Sequence, residues 1–158
     1  MKISKRVISV ILAAFILLMP LALCFAEDEK PMILMLGDSI AQAYGVENCD
    51  EAGYGKILAD TNGWDYANHA LAARTSQGLI NNISLSMVQQ DIAKADYVFI
   101  SIGGNDFLCD DRVVGIALSA LTGIESAHVR ELQEQFYQNL CRIIATVQEL
   151  NPDATIIV

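Results

Sequence analysis

The amino-acid sequence predicts an α/β fold, a three-layer doubly wound parallel sheet with helices on both faces. Three observations carry that expectation. Strand and helix signals alternate from residue 32 to residue 158, the strand segments are continuous apolar runs, and the longest helical segment has one apolar face. Continuous apolar runs mark strands buried on both sides, as a sheet between two helical layers requires.

The strands are expected at residues 32–36, 64–67, 97–102 and 154–158. A short helix is expected near 54–59 and a longer one over 77–93. The clearest spans 127–150, where Val129, Leu132, Phe136, Leu140, Ile143, Val147 and Leu150 recur at three- and four-residue steps. Arg130, Glu131, Glu134, Gln138 and Arg142 take its opposite face, and Asn151-Pro152-Asp153 ends it because proline cannot continue the hydrogen-bond ladder. The last strand signal runs to Val158 with neither a helix nor a strand after it, so the fold is expected to be incomplete, interrupted after its fourth strand.

Residues 1–26 stand apart from this pattern. Lys2, Lys5 and Arg6 precede an apolar stretch broken by Pro20, and Glu27-Asp28-Glu29 follows Ala26. This reads as a secretory signal peptide cleaved after Ala26, leaving one domain over 27–158 and a secreted, periplasmic or cell-envelope protein with no stable membrane span; the alternative is an uncleaved N-terminal membrane anchor. Cleavage would remove three positive charges and no acid, moving the formal charge from -9 to -12. Such a surface repels phosphate backbones, which argues against nucleic acid as a partner.

Beyond residue 26 lie Cys49, Cys109 and Cys141. Cys49 and Cys109 fall in connections that open onto the same sheet edge, so either a disulfide or two free thiols fits; Cys141 is expected buried in its helix. These cysteines and the two histidines form no metal-ligand spacing, and neither a metal nor another cofactor is implied.

Three short segments carry the chemistry, each after a strand: Gly37-Asp38-Ser39-Ile40, Asn68-His69-Ala70-Leu71-Ala72-Ala73 and Gly103-Gly104-Asn105-Asp106. In this order they resemble the SGNH, or GDSL, hydrolase family, over residues 32–158. Thr75-Ser76-Gln77-Gly78-Leu79 makes the small bacterial thioesterase and lysophospholipase type the nearest likeness. The resemblance implies a flavodoxin-like arrangement and hydrolysis of carboxylic esters or thioesters through a serine nucleophile. It makes Ser39 the nucleophile. The oxyanion hole is implied to use the Ser39 N–H, the Asn105 side-chain amide and the N–H of a second-segment glycine, whose position Ala73 occupies here. The substrate would be a small-molecule, lipid or glycan acyl ester. The family's Asp-x-x-His segment, which supplies acid and base, has no counterpart in the sequence.

Bland readings stand beside these. Asp38 and Asp106 are expected to order their own turns, and Gly37 and Gly104 to allow close backbone approach. Arg74 is expected to be exposed and solvated. His69, in the second loop, and His128, in Glu125-x-x-His128, lie outside the terminal segment where the family keeps its base. The apolar segment Val113 to Leu121 fits an acyl-chain wall or lid as well as simple helix packing. A P-loop would require a lysine that Gly37-Asp38-Ser39-Ile40-Ala41 lacks, and an α/β-hydrolase elbow would require glycine where Ala41 stands. The principal alternative function is a catalytically inactive pseudoenzyme or binding module of the same fold.

Overall fold

Apolar alternation within β1 sets the architecture. In a computed structural model that describes residues 30–110, 113–124 and 126–158, β1 (Met32–Gly37) is the most deeply buried strand, with Ile33 through Leu36 all inaccessible to solvent. Successive strand side chains point to opposite faces, so Leu34 and Leu36 enter one core and Ile33 and Met35 the other. β2 (Asp65–Asn68), β3 (Tyr97–Ser101) and β4 (Thr155–Ile157) complete a parallel sheet in the order β2-β1-β3-β4. Ile33 pairs with Tyr66 on one side and Tyr97 on the other, while Tyr97 pairs with Thr155. Residues 31–158 form one compact unit. The signal-peptide reading of residues 1–26 and the Glu125 of Glu125-x-x-His128 lie outside the described residues.

The larger core joins Leu34, Leu36, Val98 and Ile100 to apolar residues of α4 (Ser76–Ile83), α5 (Ser86–Ile92) and α8 (Ala127–Leu150). The smaller core joins Ile33 and Met35 to Ala41 of α1 (Ser39–Gln42) and Ala59 of α3 (Tyr54–Asn62), with Trp64 stacked on Tyr97 at 5.0 Å. Helices thus cover both faces, as the apolar strands demand. The remaining helices are α2 (Cys49–Ala52), α6 (Gly104–Leu108) and α7 (Val113–Thr122).

The structure corrects several expectations. The helix expected over 77–93 is two helices. The Ser84 hydroxyl donates to the Asn81 carbonyl, and Leu85 is extended at ψ 133°, which breaks the ladder and re-aims α5 so that Val88 and Ile92 reach the core. The short helix continues to Asn62, where Gly63 at φ 69° caps it in the left-handed conformation. Cys141 is exposed rather than buried, because it lies off the apolar stripe of α8. Cys49 and Cys109 are free thiols, each hydrogen-bonded locally, to Asp50 and Asn105.

Candidate active site

The carboxyl ends of β1, β2 and β3 carry the three segments, and hydrogen bonds between backbones draw them together. Asp38 N–H donates to the Ser101 carbonyl at 3.0 Å, and Leu71 N–H donates to the Gly37 carbonyl at 3.1 Å. Gly37 is indispensable to this junction. It sits at φ 141°, and a Cβ there would stand 1.9 Å from the Ser101 oxygen. Gly104 has no such role, since a Cβ on it would meet nothing closer than Asp38 at 3.9 Å; the demanding position is Gly103, at φ 120° with the Phe136 ring 2.8 Å from its hypothetical Cβ.

Ser39 opens α1. The buried Asp38 carboxylate accepts the Ile40 N–H at 3.0 Å and orders the turn, as expected of it. At four residues α1 has little dipole to offer the serine. Among the described residues, no side chain hydrogen-bonds the Ser39 hydroxyl and no acceptor takes the Ser39 N–H.

The second loop is tied to this turn by Gln42, which sequence reasoning passed over, and by Asn68, which opens the second segment. Gln42 accepts the Ala72 N–H at 2.6 Å, and Asn68 donates to the Ala41 carbonyl at 3.1 Å while accepting the Ala70 N–H at 2.9 Å. Between these anchors Ala73 is held at φ 62°, in the left-handed region where an L-residue costs about 1–2 kcal/mol. Its N–H has no partner among the described residues. The neighbouring Arg74 is not the solvated side chain expected. Its guanidinium donates to the carbonyls of His69 and Gly37 and to Asn82 Oδ1, and burial lowers its pKa from the usual arginine value. Carbonyl oxygens at two strand ends solvate the cation in place of water.

Asn105 lies on α6, reached from β3. Its Nδ2 donates one hydrogen to the Arg74 carbonyl at 3.0 Å, and its Oδ1 accepts the Cys109 thiol at 3.5 Å. An amide nitrogen carries two hydrogens, so one remains. Asp106 does not order its own turn as expected. Its carboxylate accepts the N–H and hydroxyl of Ser76 at the start of α4, where the exposed N–H groups of the first turn favour an anion. A cleft of about 460 Å³ opens between Thr75, Gln77, Asn105, Cys109 and Gln135.

Both histidines are engaged elsewhere. His69 Nε2 lies 2.7 Å from Asp91 of α5, and His128 Nε2 lies 3.2 Å from Asp110. The His128 Nδ1 is buried without a hydrogen-bond partner among the described residues. No group of three or more potential metal ligands occurs among those residues.

A sequence profile of the GDSL-like lipase/acylhydrolase family matches residues 35–158, from the second half of β1 through β4. The chain belongs to this family. The chain is 30% identical over 136 residues to the uncharacterized protein YpmR of Bacillus subtilis (strain 168), covering 82% of this chain and 50% of that protein. It therefore spans about half the length of the curated relative it matches. Among solved structures, the lipase Lip_vut3 from a goat rumen metagenome superposes with a TM-score of 0.59 at 14% identity, covering 80% of this chain and 61% of that one. AlinE4, an SGNH-hydrolase family esterase, gives 0.50 at 21% identity, with 83% and 59% covered. At such identities the two structures show the GDSL fold alone.

Proposed function

We propose that this is an exported GDSL-type hydrolase of carboxylic esters or thioesters, working through an acyl-enzyme on Ser39. One observation carries the reading. Three hydrogen-bond donors that lack a full set of partners among the described residues, the N–H groups of Ser39 and Ala73 and the second Nδ2 hydrogen of Asn105, stand on three segments that hydrogen bonds link across the carboxyl ends of adjacent strands. Unclaimed neutral donors suit an ester oxygen that becomes anionic only in the transition state.

In the proposed reaction the Ser39 oxygen attacks the acyl carbon as its proton passes to a base, and the three donors hold the resulting oxyanion. Collapse expels the alcohol or thiol, which takes up that proton. Water then attacks the acyl-enzyme by the same route and frees the acid. His69 and His128, the sequence's two histidines, are each held by a carboxylate. Neither is hydrogen-bonded to Ser39, and the role of base is assigned to neither. Residues 1–26 are assigned the role of a signal peptide. A small-molecule, lipid or glycan ester suits the negative chain better than a nucleic acid does.

The second reading is a non-catalytic binding module, favoured by the engagement of both histidines away from Ser39. Hydrolysis of p-nitrophenyl acyl esters and acyl thioesters by the native protein, compared with Ser39→Ala, separates the two. Turnover that disappears in the variant supports the hydrolase. Equal rates for both proteins, at the level of buffer, leave the binding module.

A further inference from the structure

Side chains from α4, α6 and α8 meet beside the oxyanion segment in a continuous polar network. The Ser76 N–H reaches Asp106 Oδ2 at 2.9 Å and Oδ1 at 3.1 Å, and the Ser76 hydroxyl donates to Oδ1. Ser76 is fully buried, and its hydroxyl oxygen accepts from Asn139 Nδ2 at 2.9 Å. Asn139, itself 6% exposed, accepts Gln135 Nε2 through its Oδ1 at 3.2 Å. A hydroxyl has one proton and two lone pairs, so donation to Asp106 and acceptance from Asn139 are compatible roles. Buried networks of this kind rigidify their surroundings when every member is satisfied.

The position of the network relative to Asn105 gives it a purpose beyond packing. Asp106 immediately follows Asn105. Ser76 lies two residues after Arg74, whose carbonyl accepts the Asn105 Nδ2 hydrogen. A closed ring results, running from the Asn105 amide to the Arg74 carbonyl, along the chain to Ser76, across to Asp106 and back. The Arg74 bond uses one Nδ2 hydrogen and so fixes the direction of the other.

We propose that Ser76 is the positioning residue of the oxyanion site: clamped between Asp106 and Asn139, it locks the Asn105 amide so that the remaining hydrogen faces the ester oxygen. The proposal rests on the ester-hydrolase reading for its purpose, although the clamp itself is testable without turnover.

The test has two arms. In the first, the side-chain amide signals of Asn105 are followed by ¹⁵N NMR in the full chain, assigned with Asn105→Asp. Wild type gives two dispersed resonances, one slow to exchange. Ser76→Ala should collapse the dispersion and speed exchange at least about tenfold, whereas Val147→Ala, buried on α8 away from the network, should lower stability and leave both signals in place. Asn139→Leu, which removes only the second partner of the hydroxyl, should give an intermediate shift and serves if Ser76→Ala does not fold. In the second arm, Ser76→Ala should cut kcat by about 10–100-fold, below the 10²–10³ typical of deleting a donor outright, with KM within twofold. Asn105 signals unchanged in folded Ser76→Ala, or an unchanged kcat in an active enzyme, would overturn the proposal. No turnover by wild type would count against the hydrolase reading, leaving the NMR arm to decide the clamp.

Discussion

Ala73 shows how a single dihedral connects sequence to chemistry. The resemblance implies glycine at its position, and the structure holds it at φ 62° between loops anchored by Gln42 and Asn68. Relieving about 1–2 kcal/mol of strain outweighs the roughly 0.4–1 kcal/mol of unfolded-chain entropy that glycine adds. Ala73→Gly should therefore stabilise the fold by about 0.5–1 kcal/mol, measured by urea denaturation, and should not slow ester hydrolysis. A loss of stability would mean that the surrounding loop tolerates alanine without strain. The substitution itself was visible in the sequence, since the resemblance implies a glycine where Ala73 stands, and its left-handed φ came from the structure. Arg74 and Gln42 were not, since their partners are backbone groups of distant segments, which leave no pattern in the sequence. Ser76 was visible only as part of a family-like run, and Asn139 not at all, since it lies between the apolar positions of an amphipathic helix.

At the scale of elements, strand positions were legible because burial on both faces leaves an uninterrupted apolar signature, and α8 was legible from its three- and four-residue period. The break between α4 and α5 was hidden. Ser84 is compatible with a helix interior, and neither its bond to the Asn81 carbonyl nor the seating of both Ile83 and Val88 in one core shows in the residue pattern. The apolar segment after Asn105 forms α7, which has no buried residue and exposes Val114, Leu118 and Leu121 along one stripe. An apolar groove of about 340 Å³ runs beneath it, between Phe107, Ile116, Ala120 and Val129. An element with no buried residue contributes little to stability. Replacing residues 113–122 with a short Gly-Ser linker should change the unfolding free energy by less than about 1 kcal/mol. The same variant should shift the preferred chain length across p-nitrophenyl acetate to decanoate. A large loss of stability with unchanged preference would make α7 a packing element instead.

The described residues build a four-stranded sheet whose larger core lies under α4, α5 and α8 and whose smaller core lies under α1 and α3. The sequence implied helices on both faces but not this inequality, which arises because Tyr97 and Phe99 are only partly covered while Val98 and Ile100 are sealed. Two tyrosines on this side of the sheet, Tyr66 packed on the smaller core and the half-buried Tyr54, tie the fold to alkaline pH. Burial first, and the Asp38 carboxylate second, raise the Tyr54 pKa above 10.0; burial raises Tyr66 likewise, against an opposing hydrogen bond from Asn68. A raised folded-state pKa means that the folded chain holds the proton more tightly than the unfolded one. The associated stability is intact below about pH 10 and is lost as pH rises through the folded-state value. The urea midpoint should therefore hold from about pH 7 to 9 and fall beyond about pH 10, with a shallower fall in the Tyr54→Phe/Tyr66→Phe double variant. Identical pH profiles for the two proteins would remove tyrosine ionisation as the cause.

The proposed function makes Ser39 an activated nucleophile facing an oxyanion hole. The most direct measurement is labelling of the native, folded protein with a fluorophosphonate, followed by peptide mapping, because the reagent needs both an activated hydroxyl and donors for its phosphoryl oxygen. A single adduct on Ser39, absent from Ser39→Ala and formed about 10²–10³ times more slowly in Asn105→Ala, is the predicted result. No adduct, or one on another residue, would contradict it.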